Sequence, residues 1–600
     1  MADTIQLAGT WQAIEGMRFG LQQASVMGTV KLGSAATRGL ALLEGALQAF
    51  VAEPLPPRRP DERDDIRLLS LFAFVYAAVQ REARIAVGSG GRVQAVRAAT
   101  GHAVAYSVCL PIASADAGRV AVEWACRLCN ALLVAPVNQQ AAELAKRRDE
   151  VLHLLQPFSS ARVNTYNITL AAFRLGIPVM LFDPPVLLLG TGRYSRWMES
   201  SLTDATPAIG ARMARHKNET SRVLRAAGLP GGVHQMVTSA DHAVQAAAQL
   251  GYPVVVKPSD QERGAGVSAD LMTEQSVRSA WELARQASPN VLVEKFAPGA
   301  THRLTVFQGQ VIRVSRRIAG GVTGDGVRTI AALVVEAQQT ESQRRAQRRQ
   351  GVPRLALDDE ALGVLAQDGR AASDIPAAGM FVRLRRRHNI NAGGSNESVK
   401  LDGVHPDNLQ LARDAARLLR LDFAGIDLIM GDISRSWLET EALICEVNAQ
   451  PQMAASSEPE VWDRVLRELV GPCARIPARL LIVRDDRVHS HALAELIARE
   501  EPDVSVSCGA GLWVAKRRAS MPFESGFKAA QALLRRTDVN SAVCLMTLDE
   551  LEREGLPMDR WDRIESDEKP APGSKEGSRL QAVMATLRAH IGSARYESGS

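Results

Sequence analysis

Long apolar runs are absent from this 600-residue sequence. No run reaches the roughly 18 residues that a membrane-spanning helix needs. The best candidate, Ile177–Leu189, is interrupted by Asp183 and the two prolines that follow it. The first residues, MADTIQLAGTWQ, also lack the basic and then apolar pattern of a signal peptide. The sequence therefore predicts a cytoplasmic protein without a membrane partner.

Cysteine is scarce, and its use is typical of a reducing compartment. The seven cysteines are an odd number, and most lie in apolar segments, which is unlike a disulfide framework. Cys126 and Cys129 form one C-x-x-C pair within a predicted helix, Val120–Leu133. Because no second pair or nearby histidine accompanies it, core packing is favoured over a metal site.

Charge of one sign and aromatic residues are also in short supply. The net charge is only +5, and aromatic residues make up 4% of the chain. A basic run, Arg344–Arg349, lies within the polar stretch 338–350, where a solvated helix face or a loop is the usual explanation. Base-stacking aromatics and a strong basic excess are what a nucleic-acid surface needs. We therefore expect no nucleic-acid partner.

What the sequence does contain is the composition of a globular protein, with 46% apolar and 23% charged residues. Six hundred residues exceed one hydrophobic core, so several domains are expected. Apolar periodicity predicts the following helices: 139–155, 167–175, one starting near Ile209 that includes Lys217, 239–250 with Ser239 as its cap, one from Thr329, and 490–499. It predicts the following strands: 82–87, 103–110, 178–182, 252–257, 291–295, 303–307, 311–316, 479–483, 511–515 and 542–546. Gln308-Gly309 is expected to form a hairpin turn, and residues 565–578 a disordered tail.

Residues 421–451 are the most informative stretch. They predict two antiparallel strands, Phe423–Met430 and Ala442–Val447, joined by a polar loop. Because side chains alternate across a strand, Asp427 can share one face of the sheet with Glu446 and Asn448. Two carboxylates and an amide oxygen are hard ligands suited to Mg²⁺ that also holds nucleotide phosphates. On this stretch alone, an edge strand with an ordinary solvated face is an equally good interpretation.

Upstream segments favour the phosphate interpretation. The strand ending in Lys257 runs into a loop with Gly264 and Gly266, where backbone N–H groups can close around phosphate oxygens. The lysine can reach the same phosphates, although an exposed lysine at a strand end is the alternative. The strand Val291–Lys295 ends in polar residues, as an adenine-binding edge would require.

Arginines form a second cluster further along the chain. Alternation along a predicted strand puts Arg383, Arg385 and Arg387 on one face, and the strand runs into Asn389–Gly394. Arginine clamps on a phosphoryl group or a carboxylate have this form. No Ser/His/Asp or Cys/His arrangement suggests a covalent nucleophile instead.

Taken in order, the segments are Lys217, VVVKP with its glycine loop, VLVEK, GATHR, GDGVRTI, RLRRRHNINAGG, FAGID and CEVNAQP. This succession resembles the ATP-grasp ligases, and most closely the ATP-grasp half of the cyanophycin synthetases, over about residues 105–475. The resemblance implies an ATP-grasp fold of the α/β class in a multidomain α+β chain. It implies an ATP-grasp ligase domain at 159–475 with a linker at 159–208, and a degenerate, truncated Mur-ligase-like domain at 476–600. The region before these, 1–158, alternates helical patterns with short strands and carries no catalytic motif, so we expect an N-terminal α/β scaffold or substrate-docking domain there.

The resemblance also implies the chemistry. ATP would phosphorylate a carboxylate, and an amine would displace the phosphate to form an amide, with ATP and Mg²⁺ as cofactors. The implied site residues are Lys217, Lys257, Gly264, Gly266, Glu294 and Lys295 for ATP; Arg385 and Arg303 for catalysis; Arg303, Asn389, Gly393 and Gly394 for substrate; and Asp427, Glu446 and Asn448 for metal.

Three departures from the family pattern qualify this expectation. Gln261-Glu262 stands where the family has a glycine near the start of its loop. The segment Gln452–Ser457 replaces a Gly-Phe and histidine segment, which leaves the carboxylate donor open. Residues 481–491 lack the G-x-x-G-K-T loop of the second, Mur-type ATP site, and no G-K-[ST] occurs elsewhere. We therefore expect only the ATP-grasp site to be active.

The resulting expectation is a C–N ligase that joins β-aspartyl-arginine dipeptides or a related amino acid or peptide, working as a dimeric or tetrameric homo-oligomer. The alternative is a non-catalytic, nucleotide-binding partner subunit of a full-length synthetase.

Overall fold

The computed structural model describes residues 4–33, 36–51, 53–88, 90–95, 103–134, 141–160, 162–183, 185–261, 266–340, 355–385, 393–453, 458–567 and 574–592. The chain forms two compact units, residues 1–200 with 455–600, and residues 201–454. These units are defined by packing, whereas the domain limits expected above were derived from the sequence. The two kinds of limit are not equivalent, so the expected domain limits stay a prediction. Over the described ranges, no helix is both long and apolar enough to cross a bilayer.

The first unit opens with an antiparallel sheet in the order β1-β2-β4-β3. Its elements are β1 (Ile5–Ile14), β2 (Ser25–Gly33), α1 (Leu40–Phe50), α2 (Asp64–Glu82), β3 (Arg92–Ala95), β4 (Ala103–Pro111), α3 (Ala115–Val134) and α4 (Ala141–Leu155). The apolar faces of α2 and α3 pack together in its core. The predicted strand at 82–87 is wrong. Helix α2 runs to Glu82, and a turn in which Arg84 has a φ of 60° follows it. Ile85 and Val87, which suggested a strand, are buried just after this turn and belong to no sheet.

The unit continues with α5 (Val163–Leu175), β5 (Val179–Asp183), β6 (Val186–Leu189) and β7 (Arg196–Glu199). The three strands pair antiparallel in that order. Helix α5 ends at Gly176, which takes the left-handed conformation (φ 62°) that stops a helix without strain. Both predicted elements of this region, a helix to Leu175 and a strand near 178–182, are confirmed.

The second unit contains a four-stranded antiparallel sheet in the order β11-β10-β12-β9. Its segment comprises β8 (Leu202–Thr203), α6 (Ala208–Arg215), α7 (Lys217–Ala226), β9 (His234–Val237), α8 (Ala240–Leu250), β10 (Val254–Pro258), β11 (Ser268–Leu271), α9 (Glu274–Ala287) and β12 (Val291–Lys295). Valines on one face of the sheet pack against small residues of α8 and α9. Ser239 caps α8 by accepting from the His242 N–H at 3.1 Å, as predicted. The single helix predicted near Ile209 is wrong: extended backbone at His216 divides it, and Lys217 begins α7.

A five-stranded antiparallel sheet, in the order β17-β14-β13-β18-β19, forms the rest of this unit together with a small β15–β16 pair. The elements are β13 (Ala300–Phe307), β14 (Gln310–Ile318), β15 (Gly321–Thr323), α10 (Ile330–Gln338), α11 (Asp359–Gln367), β16 (Phe381–Arg383), β17 (Ser395–Val399), α12 (Pro406–Leu418), β18 (Phe423–Met430) and β19 (Ala442–Asn448). The hairpin turn at Gln308-Gly309 is confirmed, with both residues at positive φ. The predicted arginine strand is shorter than expected because β16 ends at Arg383; Arg387 and the basic run 344–349 lie outside the described residues.

The chain then returns to the first unit with α13 (Pro459–Val470), which packs on α5. A six-stranded sheet follows in the order β23-β22-β21-β24-β20-β25, with β21, β24, β20 and β25 parallel. Its elements are β20 (Ala478–Val483), α14 (Arg487–Glu500), β21 (Ser505–Cys508), β22 (Gly511–Val514), β23 (Arg517–Arg518), α15 (Gly526–Leu534), β24 (Ala542–Thr547), α16 (Leu548–Glu554), β25 (Arg563–Ser566) and α17 (Lys575–Leu587). The predicted disordered tail is wrong where the structure describes it: β25 includes Ser566, and Ser574 caps α17.

Segments near the N-terminus and the C-terminus contact each other within this unit. Met17 forms an antiparallel bridge with Leu556, and the Gly16 N–H donates to the Glu554 carbonyl at 2.6 Å. The buried His590 ring joins the same region. Its Nε2 accepts from the Gly20 N–H at 2.8 Å, and its Nδ1 lies 2.6 Å from the Asp559 carbonyl oxygen, to which it donates.

This geometry predicts a pH-dependent contribution of His590 to stability. Burial lowers the pKa of His590, although its contacts with Asp559 oppose the shift. Because the folded pKa is below the unfolded value, the stabilisation is present above about pH 6.5 and is lost as pH falls through the folded pKa. We expect His590→Gln to lower the thermal unfolding midpoint at pH 7.5, and the gap from the unmodified protein to narrow at pH 5.5. The exposed His153→Gln is the matched control, and an equal gap at both pH values would contradict the prediction.

Candidate functional site

One face of the five-stranded sheet is polar, and its register brings the predicted site residues together. Arg303 on β13 lies opposite Asp427 on β18, which lies opposite Glu446 on β19. Asn448, two residues further along, is on the same face. The alternate residues, such as Leu304 and Ile426, are buried in the core beneath helix α12. Three strands therefore present one cation, two carboxylates and an amide side by side.

Asp427 is the centre of this face and is 2% exposed. Arg303 donates two hydrogen bonds to this carboxylate, a short one from Nε to Oδ1 and one of 2.7 Å from Nη2 to Oδ2. Arg317 on β14 adds a second cation, with its Nη2 at 3.1 Å from Oδ2. Burial alone would raise the pKa of Asp427, but the charges of the two arginines lower it below its ordinary value. The carboxylate is therefore ionised and engaged on both oxygens.

Glu446 and Asn448 complete the face. With its oxygen directed to Arg303, the Asn448 amide accepts from Arg303 Nη2 at 3.1 Å and donates to Glu446 Oε1 at 3.3 Å. Glu446 is half-buried. A bulge between Glu446 and Ile444 leaves Cys445 without an opposite residue, and its Sγ donates to the Asp427 carbonyl at 3.4 Å. Burial raises the pKa of the Cys445 thiol to about 12, so it stays protonated.

Gly425 makes room for the Arg303 guanidinium. It lies opposite Asn448 on the neighbouring strand. A Cβ at this position would be 2.9 Å from Arg303 Nη1 and 2.8 Å from the Pro451 Cβ. The glycine in FAGID is thus required by a close approach of side chains and not by backbone conformation.

Lys257 and Glu294 form a second buried pair, on the sheet of β9–β12. The Lys257 ammonium donates to Glu294 Oε2 in a short contact, and the two residues are 6% and 3% exposed. Burial would lower the pKa of Lys257, but Glu294, and more weakly Glu446, raise it above its ordinary value. Glu446 acts in the same sense on Arg303, whose pKa is raised by Asp427 against the effect of burial. The carboxylate of Glu446 therefore acts on cations of both sheets.

Lys217 reaches the start of the glycine loop. Its Nζ donates to the Gln261 carbonyl at 2.6 Å, and its backbone N–H donates to Ser259. Gly266, at φ 67°, lies at the other end of the loop. A Cβ added there would be 3.1 Å from atoms of Pro258 and of α9. Gly264 lies outside the described residues, as does Asn389.

The remaining predicted residues lie elsewhere in this unit. Arg385 is buried and donates to both Asp358 oxygens at 2.8 and 2.9 Å, so the carboxylate that caps α11 engages it. Lys295 is exposed at the end of β12. Gly393 and Gly394 directly precede β17. Of the predicted residues, the structure therefore brings together Arg303, Asp427, Glu446 and Asn448, with Lys257 and Glu294 in the same electrostatic environment.

Two site residues were missed by sequence reasoning. Arg317 contacts Asp427, and His234 on β9 lies opposite Glu294 and within 2.8 Å of Asn218. Burial lowers the pKa of His234, opposed by the charge of Glu294. Alternation along β14 carried no signal for Arg317, because the face on which it lies depends on a bulge that the sequence does not mark.

The donor set is chemically suited to Mg²⁺, with two carboxylates and an amide oxygen on one sheet face. Across the described part of the chain, no group of three His, Cys, Asp or Glu side chains is arranged to hold a metal. The set contains only two such side chains, and Asp427 is shared with arginines. Glu446 therefore offers a carboxylate to a cation as it stands, whereas Asp427 and the Asn448 oxygen fit one once their contacts with the arginines give way.

Two segments of the chain match ATP-grasp families. The family described as "ATP-grasp domain" matches residues 210–306, and the "RimK-like ATP-grasp domain" matches residues 378–462. Cyanophycin synthetase of Trichormus variabilis is 32% identical over 350 residues, covering 58% of this chain and 38% of the relative. The Synechocystis cyanophycin synthetase is 28% identical, covering 76% and 53%. The chain thus spans about half or less of the length of these curated relatives.

A more distant relative is the "Glutathione biosynthesis bifunctional protein GshAB" of Mannheimia succiniciproducens, 27% identical over 50% of this chain and 41% of the relative. Among solved structures, a bifunctional glutathione synthetase from Pasteurella multocida is 24% identical, with a TM-score of 0.41 over 57% of this chain and 49% of that chain. The chain contains an ATP-grasp fold within a mixed α/β architecture, and it resembles cyanophycin synthetase.

The packing around Gly425 predicts a stability effect. We expect Gly425→Ala to crowd the Arg303–Asp427 pair and to lower the free energy of unfolding by about 1–3 kcal/mol. Gly431 is the matched control, because a Cβ there would meet nothing within 4 Å. Gly431→Ala should change the free energy by no more than about 0.5 kcal/mol in the same denaturant titration. Equal effects of the two substitutions would show that Gly425 is not needed for the arginine.

Proposed function

We propose that this protein is an ATP-dependent carboxylate–amine ligase whose reaction takes place on the polar face defined by Arg303, Asp427, Glu446 and Asn448. The observation that carries the proposal is this convergence on adjacent strands, within the segments that match ATP-grasp families. Buried Lys257 adds a cation from the neighbouring sheet. Nucleotide phosphates and an acyl phosphate are anions, and such a face can bind them without a covalent nucleophile.

Each residue has a role in this scheme. Lys217 and Lys257 bind ATP phosphates near the loop closed by Gly266, and Glu294 and Lys295 line the nucleotide pocket. Asp427, Glu446 and Asn448 would hold Mg²⁺, which would supply neutralisation of the phosphate charge. Arg303 faces the group being transferred, and Arg385 joins it on release from Asp358. The γ-phosphoryl group passes to the substrate carboxylate, leaving ADP, and an amine then attacks the acyl phosphate, forming an amide and releasing inorganic phosphate.

The proposed substrates are β-aspartyl-arginine dipeptides or a related amino acid or peptide. Resemblance to cyanophycin synthetase supports this class. The altered segment after Pro451 leaves room for a different carboxylate–amine pair.

The proposal includes a single working ATP site. The loop after β20 carries no glycine and no lysine. The first turn of α14 is capped by a carboxylate of the residue that precedes the helix. Asp486 Oδ1 accepts from the N–H groups of Val488 and His489 at 2.8 and 3.3 Å. A helix N-terminus that is already capped by a carboxylate does not attract a phosphate.

A non-catalytic, nucleotide-binding partner subunit is the second candidate function. It is favoured by one observation, that Lys257, Arg303 and Arg385 are each paired with a carboxylate of the chain itself. Measuring ADP release during incubation with ATP, Mg²⁺ and candidate substrates distinguishes the two candidates, because only a ligase would release ADP.

The metal assignment predicts a specific loss of turnover. We expect Glu446→Gln to lower kcat about 100-fold, because a ligand of the cation that would neutralise the phosphate charge is lost. ADP release would be measured with the substrate pair identified by a mass-spectrometric screen for ATP-dependent dehydration products, starting with β-aspartyl-arginine. Glu441→Gln, an exposed carboxylate just before the same strand, is the matched control and should stay within twofold of the unmodified rate. Unchanged turnover in Glu446→Gln would refute the assignment.

The single-site proposal predicts one bound nucleotide per chain. Titration calorimetry with MgADP should give a stoichiometry near one, and His491→Ala, in the first turns of α14, should leave both stoichiometry and turnover unchanged. A stoichiometry of two, or loss of turnover in His491→Ala, would restore a second site.

A further inference from the structure

The cavity at the edge of the last sheet has an excess of negative charge. It is about 180 Å³ in volume and is formed entirely by residues between 483 and 553. Its lining contains two arginines, Arg487 and Arg553, and five carboxylates, those of Asp485, Asp486, Glu524, Asp549 and Glu550. Following the contacts of the lining residues outward adds two carboxylates and two arginines, Glu552, Glu554, Arg518 and Arg579. The excess of three negative charges is therefore the same in the lining and in its immediate surroundings.

Several acceptors in this cavity are unused. Asp485 and Glu524 are exposed at its rim, and neither makes a hydrogen bond or an ion pair within the described residues. Ser490 also lines the cavity and is only 8% exposed, yet its hydroxyl has no hydrogen-bond partner in the described part of the chain. Buried polar side chains are normally satisfied. An unsatisfied hydroxyl in an acidic cavity therefore points to a ligand that donates hydrogen bonds and carries positive charge.

The floor of the cavity is apolar and separates two acidic ends. It is formed at the carboxyl ends of three adjacent strands, β20, β24 and β21, by the buried side chains of Val483, Leu545 and Cys508. Asp485 follows β20 at one end of this row. Glu524 lies at the other end, because the N–H of the preceding Phe523 donates to the carbonyl of Gly509, directly after β21. Strands two places apart in a sheet are separated by about 10 Å. The fitting ligand is therefore positive at both ends and apolar in the middle.

We propose that this cavity is a binding site for a small organic dication, an α,ω-diamine. One ammonium group is bound by Asp485 and the Ser490 hydroxyl, and the other by Glu524, while the methylene groups lie on the apolar floor. Two positive charges suit the negative excess better than one. Across the described residues, no three His, Cys, Asp or Glu side chains converge as a metal ion requires, which favours an organic dication over Mg²⁺ or Ca²⁺. The site goes beyond the proposed ligase function and shares no residue with its polar face.

Titration calorimetry with 1,4-diaminobutane tests the proposal on the full chain without nucleotide. We expect saturable binding of one molecule per chain. n-Butylamine, which lacks the second ammonium group, should bind at least about tenfold more weakly. The neutral analogue 1,4-butanediol should not bind. Equal affinities for 1,4-diaminobutane and n-butylamine, no binding of 1,4-diaminobutane, or its displacement by an equal concentration of Mg²⁺ would each overturn the inference.

Substitutions locate the site. We expect Asp485→Asn and Glu524→Gln each to weaken 1,4-diaminobutane binding about fivefold or more, and Ser490→Ala about threefold or more. Because Ser490→Ala leaves the charge unchanged, its effect distinguishes a built site from diffuse attraction to an acidic surface. Glu500→Gln, an exposed carboxylate at the far end of α14, is the matched control and should stay within twofold of the unmodified chain. Unchanged binding in Asp485→Asn and Glu524→Gln would show that the diamine binds elsewhere and would refute the assignment.

Failure of this inference is distinguishable from failure of the proposed function. The diamine titration contains neither ATP nor a ligase substrate, so its outcome does not depend on turnover. Conversely, Glu446→Gln should leave diamine binding unchanged, because Glu446 belongs to the other unit. A loss of diamine binding in Glu446→Gln would place the diamine at the ligase face and would overturn the separate site.

Discussion

The buried contact between Arg303 and Asp427 constrains the architecture of the candidate site. Removing both charges from water is costly, and only close, multiple hydrogen bonds compensate for that cost. The pair therefore demands fixed strand register, a glycine at 425 to admit the guanidinium, and an amide at 448 to accept from a second N–H of Nη2. A slip of one residue in either strand would turn one charge into the apolar core beneath α12. Register here is specified by the polar face as strongly as by the core.

The same constraint explains how much of the site was predictable. Between β18 and β19, the pairing from Gly425 to Asp427 is regular, so alternation alone puts Asp427, Glu446 and Asn448 on one face. Between β13 and β14, counting back from the correctly predicted turn puts Arg316 on the face of Arg303. A bulge between Thr305 and Val306 shifts the register by one, and it is Arg317 that reaches Asp427. A bulge of this kind leaves no mark in the side-chain pattern, so sequence could not have identified this arginine.

Elsewhere, errors arose where polar composition or apolar alternation was interpreted without its tertiary context. The stretch after Glu565 is rich in charge and proline, which suggested disorder. Its neighbours nevertheless bury Ile564 and Leu587 against the last sheet, and Ser574 supplies a helix cap. Ile85 and Val87 alternate like a strand but fill the core from a turn. The divided helix at His216 has a structural consequence, because it puts Lys217 in the first turn of α7, from which its side chain reaches the Gln261 carbonyl.

Charge placement also supports the proposal of a single ATP site. At the carboxyl edge of the last sheet, where open α/β sheets commonly bind ligands, a cavity of about 180 Å³ is lined by Asp485, Asp486 and Glu550 among others. Glu550 accepts from the N–H groups of Gly526 and Thr547, at 2.7 and 2.8 Å, so carboxylates already occupy the helix N-termini that a phosphate would need. On the polar face of the second unit, by contrast, Asp427 is paired with two arginines, Arg303 and Arg317. An acidic cavity whose N–H donors are already used by carboxylates is unfavourable for a nucleotide phosphate, whereas a face that contains arginines is not.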